Sequence, residues 1–140
     1  MNRRGFLTLS ASGLILAGIA LPARAGERVF YVPGNAEAAM KAGKVVFLDF
    51  WTNWCSTCAA QDRVIADLRA ANPAYDANIT FITVDWDEFA DSDLSKALKI
   101  PRRSTLVALK GETELGRIVA GTSTTDIKAL MDLALTAATA

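Results

Sequence analysis

Residues 44–51, KVVFLDFW, run almost unbroken in apolar side chains, and the one charge inside the run is Asp49. A strand of that composition is buried on both faces, so it belongs at the centre of a sheet covered by further elements. Shortly past its end come Cys55 and Cys58, the only cysteines of the 140-residue chain. From residue 57 to residue 71, Val64, Ile65 and Leu68 recur at helical spacing among Asp62, Arg63, Asp67 and Arg69, and Asn72-Pro73 ends the segment. The cysteines therefore sit where a central strand turns into an amphipathic helix.

The flanking sequence supplies the covering elements. RVFYV at 28–32 reads as a first strand ended by Pro33-Gly34, and Asn35 caps a short helix through Lys41, stopped at Gly43. ITFITVD at 79–85 is a second buried strand, and residues 91–99 form a short helix capped by Asp91 or Ser92. A strand at 105–109 leads through the turn Lys110-Gly111-Glu112 into another at about 114–120. A Thr/Ser cluster at 122–125 opens a closing helix with Ile127, Leu130, Met131 and Ala134 on one face. The order βαβαβαββα predicts an α/β fold with a mixed central β-sheet and helices on both faces. Its length is that of one domain.

The first 25 residues read as a cleavable export signal: a basic start, an apolar stretch from about Leu14 to Leu21, and small residues around Ala23-Arg24-Ala25. Arg3-Arg4-Gly5-Phe6-Leu7 and the Gly- and Ala-diluted core suit the twin-arginine route over general secretion. The apolar stretch is shorter than the roughly 20 residues of a membrane span. The expectation is a folded domain over 26–140 located in the periplasm. Without residues 1–25 the balance is 12 basic against 15 acidic residues, net −3, which offers nothing to nucleic acid.

Three roles are open to a cysteine pair in such a compartment. As a staple it would close a two-residue spacer, which constrains the unfolded chain very little. As a metal site it supplies half of a four-thiolate set, so a symmetric dimer would be needed to complete a metal or iron–sulfur centre. As a redox pair it has what the chemistry needs. A thiol at a helix N-terminus meets unpaired N–H groups and the positive dipole end, which favour thiolate at Cys55. Cys58, one turn on, can resolve a mixed disulfide formed there. The chain has no histidine, which removes Cys-His and Ser-His nucleophiles and histidine-ligated zinc. The acid-rich VDWDEFADSD stretch lacks the glycine and terminal glutamate spacing of a calcium loop and reads as solvated, helix-capping sequence.

FLDFWTNWCSTC resembles the thioredoxin family, whose hallmark is a buried-strand Asp, two tryptophans and W-C-x-x-C; the resemblance spans about residues 28–137. It implies the thioredoxin fold and thiol–disulfide exchange with protein partners, needing no dissociable cofactor or metal. It further implies that Cys55 attacks, Cys58 resolves, Asp49 relays the Cys58 proton, Trp54 shields the disulfide and Trp51 packs beside it. Substrate contact would fall to Trp54, Arg103, Ser104 and Thr105. In an exported protein the resemblance points to the reducing branch, with electrons drawn from a membrane thiol transporter and a monomer as the working unit. The opposite direction, disulfide insertion, stays open, as does the thiolate metal module formed by dimerisation.

Three departures from the family stand out. Ser56-Thr57 separates the cysteines where Gly-Pro is usual, so the potential cannot be copied. In KIPRRSTLVAL, Ser104 holds the place of the family's cis-proline, and Thr105 matches the Thr that follows it. A cis bond before a non-proline residue costs about 2.5–4 kcal/mol, so a trans bond, or strain kept for function, is expected at 103–104. Ala59 and Phe81 stand where lysines often neighbour the buried Asp, and desolvation alone is expected to set the Asp49 pKa. Arg102 and Arg103 put positive charge beside the cysteines, on a loop read as solvated.

Overall fold

β1, Val45–Trp51, is buried along its length up to the half-buried Trp51. It pairs parallel with β2, Thr80–Asp85, and antiparallel with β3, Thr105–Lys110, which in turn pairs antiparallel with β4, Thr113–Val119. The sheet order β2-β1-β3-β4 puts the apolar run at its centre, as its composition demands. This computed structural model describes residues 26–140, so the expected export signal lies outside the described residues. Among the described residues no helix is long and apolar enough to cross a membrane.

The two-residue period of β1 divides the core. Val46, Leu48 and Phe50 join Tyr31, Ala36, Leu94 and Ile100 on one face, while Val45 and Phe47 join Ile65, Tyr75, Ile127 and Met131 on the other. By this alternation Asp49 falls on the second face. That face is covered by α2, Ser56–Ala71, and by α6, Thr124–Thr139. The other face carries α1, Asn35–Lys41, and α5, Asp93–Ala97. A mixed sheet between helices is thus the observed architecture.

Several local expectations change. RVFYV is not a full strand but a single parallel bridge between Phe30 and Thr83. The Asn35 side chain explains the loss: its Nδ2 donates to the Phe30 carbonyl at 3.0 Å and its Oδ1 accepts the Val32 N–H at 3.3 Å, so local bonds replace a ladder. Asn35 is then the first residue of α1, and Gly34, at φ +102°, is its cap. Two helices too short to show a period were missed: α3, Ala74–Asn78, and α4, Trp86–Phe89. Asp85 caps α4 by accepting the Asp87 N–H at 3.0 Å, and Ser92 rather than Asp91 caps α5. The α5 helix ends early, and Lys99 beyond it lies at φ +53°.

Candidate active site

Cys55 is the N-cap residue of α2, and its Sγ accepts the Cys58 N–H at 3.2 Å. Both cysteines are buried free thiols. Burial acts to raise the Cys55 pKa, but the Cys58 thiol, the Ser104 hydroxyl, the Cys58 N–H and Arg103 together bring it down to about 7. Cys58 moves the other way: burial first, and its neighbour Cys55 second, hold it up as a thiol. One sulfur is thus ready to attack near neutral pH while the other keeps its proton.

Ser104 closes this pair from the opposite side. Its Oγ lies 3.1 Å from the Cys55 Sγ and 3.1 Å from the Cys58 Sγ, and the residue is completely buried. No cis peptide bond occurs among the described residues, so the 103–104 bond is trans. The strain appears instead in Ser104 itself, at φ +62°, a left-handed conformation costing a non-glycine residue about 1–2 kcal/mol. Neighbouring groups hold it there. Its N–H donates to the Phe50 carbonyl at 2.7 Å, and its carbonyl accepts the Ala120 N–H at 2.8 Å and Gln61 Nε2 at 3.0 Å. Gln61 Nε2 also donates to the Gly121 carbonyl at 2.9 Å, tying two loops to α2.

Asp49, on β1, is close enough to Cys55 for the two to influence each other's charge. It is almost fully buried, and its Oδ1 has no hydrogen-bond partner. Desolvation raises its pKa well above the carboxylate range, the Asp62 carboxylate raises it further, and Arg28 opposes both. Desolvation is therefore the largest cause but not the sole one, which corrects the sequence reading. Arg28 comes from the segment ahead of α1. Its guanidinium donates to Asp62 Oδ2 at 2.8 Å and to Thr83 Oγ1 at 3.2 Å, and stacks 4.8 Å above the Trp51 ring. Asp49, Asp62 and Arg28 line one cavity of about 180 Å³.

The outer rim is made by Trp54, which is 59% exposed. Its Nε1 donates to Asp87 Oδ2 at 2.8 Å, and Arg103 lies 4.4 Å over its ring. Thr105 turns inward: it is fully buried and its hydroxyl donates to the Arg102 carbonyl at 2.8 Å, shaping the loop. Among the described residues no group of three or more Cys, Asp or Glu side chains is arranged to hold a metal ion. Sequence reading missed Arg28, Asp62 and Gln61. A signal existed for Gln61, which shares the buried face of α2 with Cys58 and Ile65 at helical spacing.

An activated thiol at a helix N-terminus, a protonated thiol one turn on and a buried carboxyl near them define a thiol–disulfide exchange protein. The sequence model for thioredoxin matches residues 32–133. Thioredoxin of Coprinus comatus is 32% identical over 96 residues, which cover 67% of this chain and 84% of that protein. For thioredoxin of Echinococcus granulosus the identity is 29% over 89 residues, covering 63% and 78%. The crystal structure of Trxlp from Edwardsiella tarda superposes with a TM-score of 0.62 at 25% identity, covering 73% of this chain and 97% of that one. The chain belongs to the thioredoxin family. It is a thioredoxin-like thiol–disulfide oxidoreductase carrying the pair Cys55 and Cys58.

Proposed function

We propose that the protein reduces disulfides of partner proteins in the periplasm, with Cys55 as the nucleophile and Cys58 as the resolving thiol. The carrying observation is the Cys55 thiol poised at about 7. A thiolate over-stabilised in the dithiol form makes an oxidant, as in oxidases whose nucleophile titrates near about 3.5, whereas a value near ambient pH favours attack on a partner disulfide. The export reading of residues 1–25 supports the compartment.

Exchange proceeds in two steps. The Cys55 thiolate attacks a partner disulfide, a mixed disulfide forms, and the first partner sulfur leaves with the electron pair. Ionised Asp49 takes the Cys58 proton, and the Cys58 thiolate attacks the Cys55 sulfur. The Cys55–Cys58 bond forms and the second partner sulfur leaves. Asp49 then exchanges its proton with solvent through the cavity beside Arg28 and Asp62. Trp54 and the Arg103 side chain stacked on it offer the partner a docking rim around Cys55. The oxidised pair is returned to the dithiol by a membrane thiol transporter, and the working unit is a monomer.

The equilibrium reduction potential of the pair tests the direction: a value near about −270 mV is expected for a reductant, and one near about −120 mV would overturn it. Cys58→Ser is expected to trap a covalent partner where Cys55→Ser does not. Equal trapping by both would reverse or remove the assigned roles.

A further inference from the structure

Ser104 touches both sulfurs, at 3.1 Å each, from a backbone fixed at its N–H and its carbonyl. The freedom left to it is rotation of its hydroxyl. Complete burial removes water as a competing partner. A hydroxyl has one proton to give and lone pairs to accept. With Cys55 as thiolate and Cys58 protonated, the charged Cys55 sulfur is the stronger acceptor and takes the Oγ–H, while the Cys58 sulfur lies at the same 3.1 Å from Oγ.

We propose that the Ser104 hydroxyl serves both cysteines in turn, as a hydrogen-bond donor that turns from the Cys55 sulfur to the Cys58 sulfur as the nucleophile changes between the two steps. The inference rests on the exchange reading above. When Cys55 enters the mixed disulfide its negative charge goes out on the first partner sulfur, so Ser104 loses its anionic acceptor. Once Asp49 has taken the Cys58 proton, the new thiolate at Cys58 becomes the stronger acceptor, and Oγ–H turns to it. The Cys58 thiolate then attacks Cys55, closing the intramolecular disulfide and releasing the second partner sulfur as thiolate. No electron or proton is lost at Ser104: its own O–H bond stays intact throughout. The backbone donor to Cys55, the Cys58 N–H, belongs to the helix and cannot make that turn. A proline in this place would have no donor for either sulfur.

Two variants separate the hydroxyl from the backbone. Ser104→Ala removes the hydroxyl and keeps the Cβ in the left-handed conformation; Ser104→Gly removes both and relieves the strain. Each is titrated by thiolate ultraviolet absorbance, then mixed in stopped flow with a small aromatic disulfide to resolve the attack and closure phases. Both variants are expected to raise the Cys55 midpoint by about one unit, a tenfold loss of thiolate below the midpoint. Closure is expected to slow by about tenfold in both, so that the mixed disulfide accumulates. An unchanged midpoint and closure phase in Ser104→Ala would overturn the inference while leaving exchange by Cys55 and Cys58 standing. A change confined to Ser104→Gly would assign the effect to backbone conformation and also overturn it. Absence of exchange in the wild-type protein would remove the exchange reading and this inference together.

Discussion

Replacing Ser104 by proline restores the residue usual in the family, yet this chain is expected to reject it. Proline holds φ near about −65°, whereas Ser104 sits at +62°. The substitution also deletes the N–H that donates to the Phe50 carbonyl at 2.7 Å, at the end of the central strand. Leaving that buried acceptor unpaired costs about 1–3 kcal/mol. A proline that both removes a hydrogen bond and clashes with its backbone setting costs about 3 kcal/mol or more in helix interiors, and the same two losses combine here. A cost of about 3 kcal/mol is a large part of the 5–15 kcal/mol or so that holds a small domain folded. With a urea slope of about 2 kcal/mol/M the unfolding midpoint should drop by about 1.5 M. Ser104→Gly is the control, since glycine keeps the N–H and tolerates φ +62°; its midpoint should move by less than about 0.5 M. A Ser104→Pro midpoint equal to or above that of the wild type would refute the reasoning. It would mean that the surrounding bonds from Phe50, Ala120 and Gln61 do not enforce the left-handed conformation.

Thiolate absorbance should rise with a midpoint near pH 7 in the wild type, and that transition should be missing from Cys55→Ser. Because the folded pKa of Cys55 lies below its unfolded value of about 8.5, its contribution to dithiol stability is complete above that pH and is lost as the pH falls through about 7; urea unfolding against Cys55→Ser across this window checks the sign. Asp49 has the opposite sign: its folded pKa is raised by burial and then by Asp62, so stability declines as the pH climbs from about 4 toward the folded value. Asp49→Asn should remove that decline, its advantage over wild type growing from acid to neutral pH; a constant gap would contradict it. Asp62→Asn should lower the Asp49 pKa and Arg28→Ala should raise it, readable by carboxyl NMR titration, and shifts of the same sign in both would break the assigned triad.

The central strand, the two principal helices and the hairpin were legible because each carries a period or a cap written in neighbouring residues. Ser92, one of the two caps its residue type offered for α5, is the one used. RVFYV misled because strand propensity records what a segment can do, and the outcome was set by Asn35, a few residues downstream, which satisfies the Phe30 carbonyl and the Val32 N–H locally. The α3 and α4 segments are one turn each, too short for any period to register.

Around the cysteines, what could not be read was compensation across distant segments. The absence of lysine at Ala59 and Phe81 suggested an Asp49 with no cationic neighbour, yet Arg28 reaches the same cavity from 21 residues upstream, anchored on Asp62 and the Trp51 ring. Local spacing carries no trace of such a contact, because the fold that creates it is the parallel bridge of Phe30 to the edge strand. The loss of proline at 104 likewise made sense only with Gln61 in view. Gln61 gives its amide to the Ser104 carbonyl while Ala120 and Phe50 hold the rest of the residue, and three weak constraints replace one rigid ring. A ring fixes the loop but presents no hydrogen-bond donor to the sulfurs. The hydrogen-bonded serine fixes the same loop and adds a donor, so the departure that makes this chain look atypical also enlarges the chemistry available at its dithiol.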